Sequence, residues 1–231
     1  MEGPKVIAFC IAGERFPLAW VNYWTVLLGQ MMQKYLTQGH FAYSSNVYVT
    51  RNTLQQSVME AARKPDYVLW LDDDQLVTFE NVEQLVSDLQ EHSQIDAVFG
   101  WTWIQPDVYT MPGECSAGDQ RKGLNHRFTA TELKEHQGLK EITHSGFPLV
   151  LMRYEVLERL GPKAFSPRMN PDSPQGFDGE DFAFCTRARE KGLRLFVDTR
   201  VHVPHLKLRA IVGVEPVVIP SKVAGIVEEA A

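Results

Sequence analysis

Apolar runs of strand length alternate with helix-period segments through the first hundred residues of the chain. Lys5 to Ala12 is a short apolar run closed by Gly13, which predicts a buried strand. Pro17 then opens an amphipathic segment, predicted as a helix from Leu18 to about Leu36. Ala42 to Val49 alternates weakly. Within Arg51 to Arg63, Leu54, Val58, Ala61 and Ala62 keep helical spacing, and Lys64-Pro65-Asp66 stops that helix. Tyr67 to Leu71, an unbroken apolar run, suits a central strand buried on both faces. Thr78 is placed to cap the next helix, with Glu80 in its first turn and Val82, Leu85, Val86 and Leu89 along one face. Ile95 to Trp101 predicts a further strand.

Strand and helix alternating in this way describe a parallel sheet with crossover helices, a sheet that binds ligands outside the carboxyl ends of its strands. From Thr102 to Thr143 the pattern breaks into prolines, glycines and scattered charge, with one short helical stretch at Thr129 to His136; a long binding loop or lid is expected there. Ile142 to Arg153 returns to strand character. Tyr154 to Leu160 is a short helix ended by Gly161-Pro162, and Phe165 to Gly179 is a second Pro/Gly loop. Glu180 to Lys191 predicts a helix stopped by Gly192, followed by a last strand from Leu193 to Asp198.

Composition narrows the function. The chain has 231 residues, 23 Lys+Arg against 29 Asp+Glu, and a formal net charge of -6, which argues against a phosphate-backbone partner. No apolar run approaches the roughly 20 residues of a spanning helix. Val6 to Gly13, flanked by Glu2, Glu14 and Arg15, lacks the layout of a signal peptide, so a soluble protein without a membrane span is expected. Cys10, Cys115 and Cys185 show no CxxC spacing. They suit a reducing, cytoplasmic setting, with Cys10 and Cys185 as small core residues.

The apolar run Tyr67 to Leu71 leads straight into Asp72-Asp73-Asp74, three like charges that gain nothing from packing. In a strand-end turn Asp72 and Asp74 can point to one side, where Mg²⁺ or Mn²⁺ would take their oxygens together with those of a diphosphate. The plainer alternative is a solvated acidic turn before a helix N-terminus. Arg51 offers a planar fork to a diphosphate or nucleobase, or else is a surface arginine. His144 either touches a bound ligand or is structural. Trp101, Trp103 and Tyr109 are candidates to line a ligand cleft, though burial is the ordinary fate of any one of them.

Asp66-Tyr-Val-Leu-Trp-Leu-Asp-Asp-Asp74 resembles the DxD motif of GT-A glycosyltransferases, and the likeness is closest to family-2-like members. Further elements follow the same order. Thr50-Arg51-Asn52 is similar to the Arg-Asn element that opens the preceding helix. Ser145 to Leu151, with Gly146, resembles the strand lining the donor sugar, and Gly179-Glu180-Asp181 resembles the acidic helix start that faces the acceptor. His205 stands where many such enzymes carry a last metal ligand, with His202 as its competitor.

The resemblance spans about residues 5 to 208. It implies a single-domain α/β fold, a mostly parallel Rossmann-like central sheet flanked by helices. That domain would occupy residues 1–210, with a donor-binding half at about 1–101, an acceptor half at about 102–210 and a tail at 211–231. It further implies Mn²⁺ or Mg²⁺ on Asp72, Asp74 and His205. A nucleotide-diphosphate sugar, UDP-linked for preference, would lie against Ala12, Gly13, Glu14, Arg51, Asp72, Asp73 and Gly146. Asp181, with Glu180 as the alternative, would act as base toward a hydroxyl acceptor left unidentified, and the transfer would invert the anomeric carbon. A nucleotidyltransferase is the enzymatic rival, but Ala12-Gly13-Glu14-Arg15 lacks its Gly-rich basic loop. A non-catalytic carbohydrate- or nucleotide-binding module of the same fold is the other. Oligomeric state is left open.

Overall fold

The computed structural model describes residues 4–13, 16–104, 113–123 and 126–206. Its seven-stranded central sheet runs, in spatial order, β2 (Leu36–Ala42), β1 (Val6–Ala12), β3 (Tyr67–Asp72), β9 (Leu149–Arg153), β4 (Ala97–Trp101), β12 (Leu195–His202) and β7 (Leu139–Glu141). Strands β2, β1, β3, β4 and β12 share one direction. β9 enters antiparallel between β3 and β4, and β7 closes the far edge antiparallel to β12.

Side chains alternate across this sheet with the period of two that a strand imposes. On one face Ile7, Phe9 and Ile11 of β1 meet α1 (Leu18–Lys34) and α3 (Phe79–Glu91), burying Trp20, Leu27, Met31, Val82, Leu85 and Leu89. On the other, the small Ala8, Cys10 and Ala12 leave room for α2 (Val47–Glu60), and that layer extends to α4 (Ala130–Glu135), α5 (Tyr154–Leu160) and α6 (Glu180–Glu190). Cys10, Cys115 and Cys185 are buried and unpaired. Thr78 caps α3 in a reciprocal box: its hydroxyl accepts from the Asn81 amide at 3.3 Å, and the Asn81 side chain accepts from the Thr78 amide at 3.1 Å. Among the described residues no helix is long and apolar enough to cross a membrane.

Several local expectations are corrected. The first helix stops at Lys34, and Leu36 opens β2, an exposed edge strand whose sequence LTQGHFA mixes polar and apolar residues and so carries no strand signal. The next helix starts at Val47 and ends at Glu60, earlier than Arg51 to Arg63, because Val47, Val49 and Thr50 are β-branched and mimic strand alternation. The described part of 102–143 carries strands and helices rather than one long loop. β5 (Glu114–Gly118) pairs with β6 (Arg127–Thr129) and β8 (His144–Ser145) in a small sheet, and small residues such as Ser116, Ala117 and Gly118 hide it from a hydrophobicity pattern. Ile142 to Arg153 divides into β8 and β9 around Gly146 to Pro148. Phe165 to Gly179 contains a hairpin of β10 (Arg168–Met169) and β11 (Phe177–Asp178), and the last strand continues past Asp198 to His202. Glu14, Tyr109 and the tail 211–231 lie outside the described residues.

Candidate active site

The acidic turn is built where β3 ends. Apolar residues 67–71 are buried in the sheet, and the strand reaches its carboxyl end at Asp72, whose carbonyl accepts from the Trp20 indole at 3.1 Å. The turn is then held from the far end of the chain. Leu76 donates its amide to the Pro204 carbonyl at 2.9 Å, and Leu206 donates to the Asp74 carbonyl at 2.7 Å. These two bonds flank an antiparallel bridge between Gln75 and His205, which sets the His205 imidazole against the Asp74 carboxylate, Nε2 to Oδ2 at 2.6 Å.

A cavity of about 510 Å³ opens over this turn, in the range that holds small ligands. Ala12, Gly13, Asp72, Asp73 and Asp74 line it from the strand ends, Arg51 from α2, Gly146 from the turn before β9, and Glu180 and Asp181 from the first turn of α6. Gly13 has a steric reason: a Cβ there would lie 2.4 Å from the Cβ of Asp73. His205 completes the wall. Ser44 and Ser45, Thr102 and Ser116 also line the cavity, residues that no sequence motif picks out. The polar run Ser44-Ser45-Asn46 before α2 was their one legible signal.

Arg51 ties the two halves of the cavity together. Its guanidinium donates to Asp72 Oδ1 at 2.9 Å and to Glu180 Oε1 at 3.0 Å, while its plane lies 4.8 Å over the Phe147 ring. The residue is 4% exposed. Burial alone would favour the neutral arginine, but the facing carboxylates outweigh it and raise the group. Burial pushes Asp72 above the ordinary carboxylate range against the pull of Arg51, with Asp74 and Asp73 adding to the rise. Glu180 is likewise raised, by burial and then by Asp181. Arg51 was expected to meet the ligand's diphosphate or base; its two ion pairs instead go to site carboxylates.

Arg51 engages Glu180, and beside it on the same cavity wall stands Asp181. Its Oδ1 accepts from the Phe182 amide at 2.8 Å, and its Oδ2 lies 3.6 Å from where a Cβ on Gly146 would stand.

Among the described residues no three His, Cys, Asp or Glu side chains stand at metal-binding spacing, so the expected trio of Asp72, Asp74 and His205 is not assembled. Asp72 is held by Arg51. Asp74 and His205 do converge, and among the described residues the buried Nδ1 of His205 has no hydrogen-bond partner. Mn²⁺ and Mg²⁺ prefer oxygen ligands such as the Asp74 carboxylate and bind through one or two carboxylates when substrate phosphates complete the shell, and the His205 imidazole beside it is a further nitrogen donor. The donor set therefore fits a divalent cation.

The remaining candidates lie elsewhere. His144 is buried, stacked on Phe182 at 4.4 Å, and burial pushes its imidazole down to about 3, so it stays neutral. His202 packs on Trp101 at 4.5 Å and burial lowers it. Trp101 is buried and Trp103 is 41% exposed.

No protein-family profile matches the chain, and no curated protein sequence matches it. Solved structures do. A197 from STIV superposes with a TM-score of 0.55 at 14% identity, over 92% of this chain and 98% of that one. The catalytic domain of Drosophila β1,4-galactosyltransferase 7 in complex with xylobiose gives 0.50 at 15% identity, over 89% of this chain and 72% of that one. GalNAc-T7 with UDP, GalNAc and Mn²⁺ gives 0.50 at 12% identity, and here 90% of this chain covers 45% of that chain. At these identities the likeness is one of fold: a mixed α/β domain whose large, mostly parallel central sheet is flanked by helices, as in the GT-A glycosyltransferases.

Proposed function

We propose that the chain is a divalent-metal-dependent glycosyltransferase that moves a sugar from a nucleotide-diphosphate donor, a UDP-sugar for preference, to a hydroxyl acceptor with inversion. The observation that carries this is the meeting, in one cavity, of the Asp74–His205 pair with the acidic first turn of α6, bridged by buried Arg51. The donor half comprises residues to about 101 and the acceptor half those to about 210. Three buried free thiols suit a reducing compartment, so the proposed location is cytoplasmic.

Asp74 and His205 are the residues that would hold the cation. A cation bound there supplies Lewis-acid stabilisation of the charge developing on the diphosphate. Gly13 keeps the floor open beside Asp73, so a nucleotide can approach the backbone at the end of β1. Arg51 holds Asp72 and fixes the distance between the acidic turn and α6. Asp181 Oδ2 takes the proton of the acceptor hydroxyl as that oxygen bonds to the anomeric carbon. The bond from that carbon to the diphosphate breaks, and its electron pair leaves with the nucleotide. Glu180, bound to Arg51, positions this start of the helix and does not accept the proton.

Thermal-shift titration with a panel of nucleoside diphosphates and nucleotide sugars, with and without Mn²⁺ or Mg²⁺, tests the donor site, and release of free sugar reads turnover. Absence of any metal-dependent stabilisation across the panel would sink the proposal.

A further inference from the structure

A second polar cavity, of about 330 Å³, lies against α6 and shares no lining residue with the acidic one. Gln120, Arg168, Asn170, Asp178, Thr186 and Arg189 contribute to its walls. Thr186 and Arg189 are three apart on α6 and so share a face. Asp178 precedes the acidic pair by two residues, which places the two cavities on consecutive stretches of chain.

The arginines mark this cavity out. Arg187 donates to the Ala164 and Ser166 carbonyls, and Arg168 pairs with Glu190. Arg189 differs: it lines the cavity, and among the described residues its buried Nε has no hydrogen-bond partner. Asp178 faces the same space, with Oδ1 accepting from the Asn170 amide at 2.9 Å and no ion pair to Arg189 among the described residues. The walls thus offer donors and acceptors together. A simple anion would meet the like charges of Asp178 and Asp172, which also lines the cavity. Beside these polar groups, the β10–β11 hairpin sets Met169 opposite Phe177, 80% and 43% exposed. Convergent donors and acceptors next to an exposed apolar pair complement a sugar ring, which has hydroxyls at its edge and an apolar C–H face.

From Asp181 to Thr186 and Arg189, α6 rises about 8–12 Å. We infer that this second cavity is the distal subsite of the acceptor: a neutral oligosaccharide places its end hydroxyl at Asp181 and an inner ring over Met169 and Phe177, hydrogen-bonded to Arg189 and Asp178. The inference rests on the transferase function proposed above and makes the acceptor a glycan chain rather than a single sugar.

The test is calorimetric titration of the whole chain with neutral tri- and tetrasaccharides and with their constituent monosaccharides. Arg189→Gln and Phe177→Ser, neither of which removes a bonded partner, are titrated alongside, and a UDP–Mn²⁺ thermal shift is run on each protein. Oligosaccharides should bind the parent protein at least about tenfold more tightly than monosaccharides, and either substitution should erase that advantage while leaving the UDP–Mn²⁺ shift unchanged. Lack of a chain-length advantage, or its survival in either variant, overturns the subsite, as does binding of inorganic phosphate or sugar acids alone. If the UDP–Mn²⁺ shift is present in that case, the transferase assignment stands without the subsite. A chain-length advantage lost in Arg189→Gln, with no UDP–Mn²⁺ shift in any protein, leaves a saccharide site and removes the transferase.

Discussion

Replacing Arg51 with methionine keeps the stem that packs on Phe147 and removes the guanidinium that joins Asp72 to Glu180. The structure sets the scale. Arg51 is 4% exposed, and its bonds of 2.9 and 3.0 Å go to carboxylates whose side chains are 28% and 18% exposed. Breaking a buried ion pair from one side leaves an uncompensated charge and costs about 3–5 kcal/mol. For a chain of this size that lowers the melting temperature by roughly 6–20 °C. Most of the cost is the stranded charge rather than lost attraction, so adding Glu180→Gln to Arg51→Met should recover about 1–2 kcal/mol, although Glu180→Gln alone destabilises. Thermal and urea melts of the parent, the two single variants and the double variant close the cycle. A loss below about 1 kcal/mol for Arg51→Met, or strictly additive effects in the double variant, would refute the bridging role.

Other outcomes follow from the same geometry. Gly13→Ala forces a Cβ to within 2.4 Å of Asp73, so it should weaken UDP–Mn²⁺ binding tenfold or more by calorimetry, whereas Gly146→Ala, whose nearest neighbour is 3.6 Å away, should spare that binding. Asp74→Asn should abolish metal-dependent donor binding. Asp181→Asn should retain binding and lose transfer, and loss of donor binding in Asp181→Asn would move that residue into the donor site. Far from the cavity, burial and then Asp198 push Asp88 up to about 7, while Arg200, bonded to both acids, outweighs burial and holds Asp198 down. A raised carboxyl group favours folding below its unfolded value and loses that contribution as pH climbs through about 7. Melting temperature should therefore fall between pH 5.5 and 8 by the equivalent of about 2 kcal/mol, and Asp88→Asn should flatten the slope. An unchanged slope in that variant would rule out the pair.

What the sequence made legible follows the strength of each local signal. An unbroken apolar run ending in three aspartates, followed by a capped helix with a clean apolar face, marks β3, the acidic turn and α3. Strand β2 is an exposed edge of mixed polarity, and β5 is made of small residues, so neither produces a period. Strand β9 is apolar throughout, like its neighbours, and no local pattern tells that it runs against them. The cavity was harder to read than the fold. The carboxylates were visible as clusters, but whether Arg51 meets a ligand or the protein's own acids depends on how α2 and α6 pack, a contact between residues 129 apart.

The backbone bridge between Gln75 and His205 joins segments 130 residues apart in the chain. Such a contact has high sequence separation, and the loop-closure cost it carries is offset only once the intervening sheet is in place. Cation binding at the site proposed for Asp74 and His205 would therefore report completed folding: during refolding it should appear with the last kinetic phase, after the burial of Trp20 and Trp70 has already changed the tryptophan fluorescence.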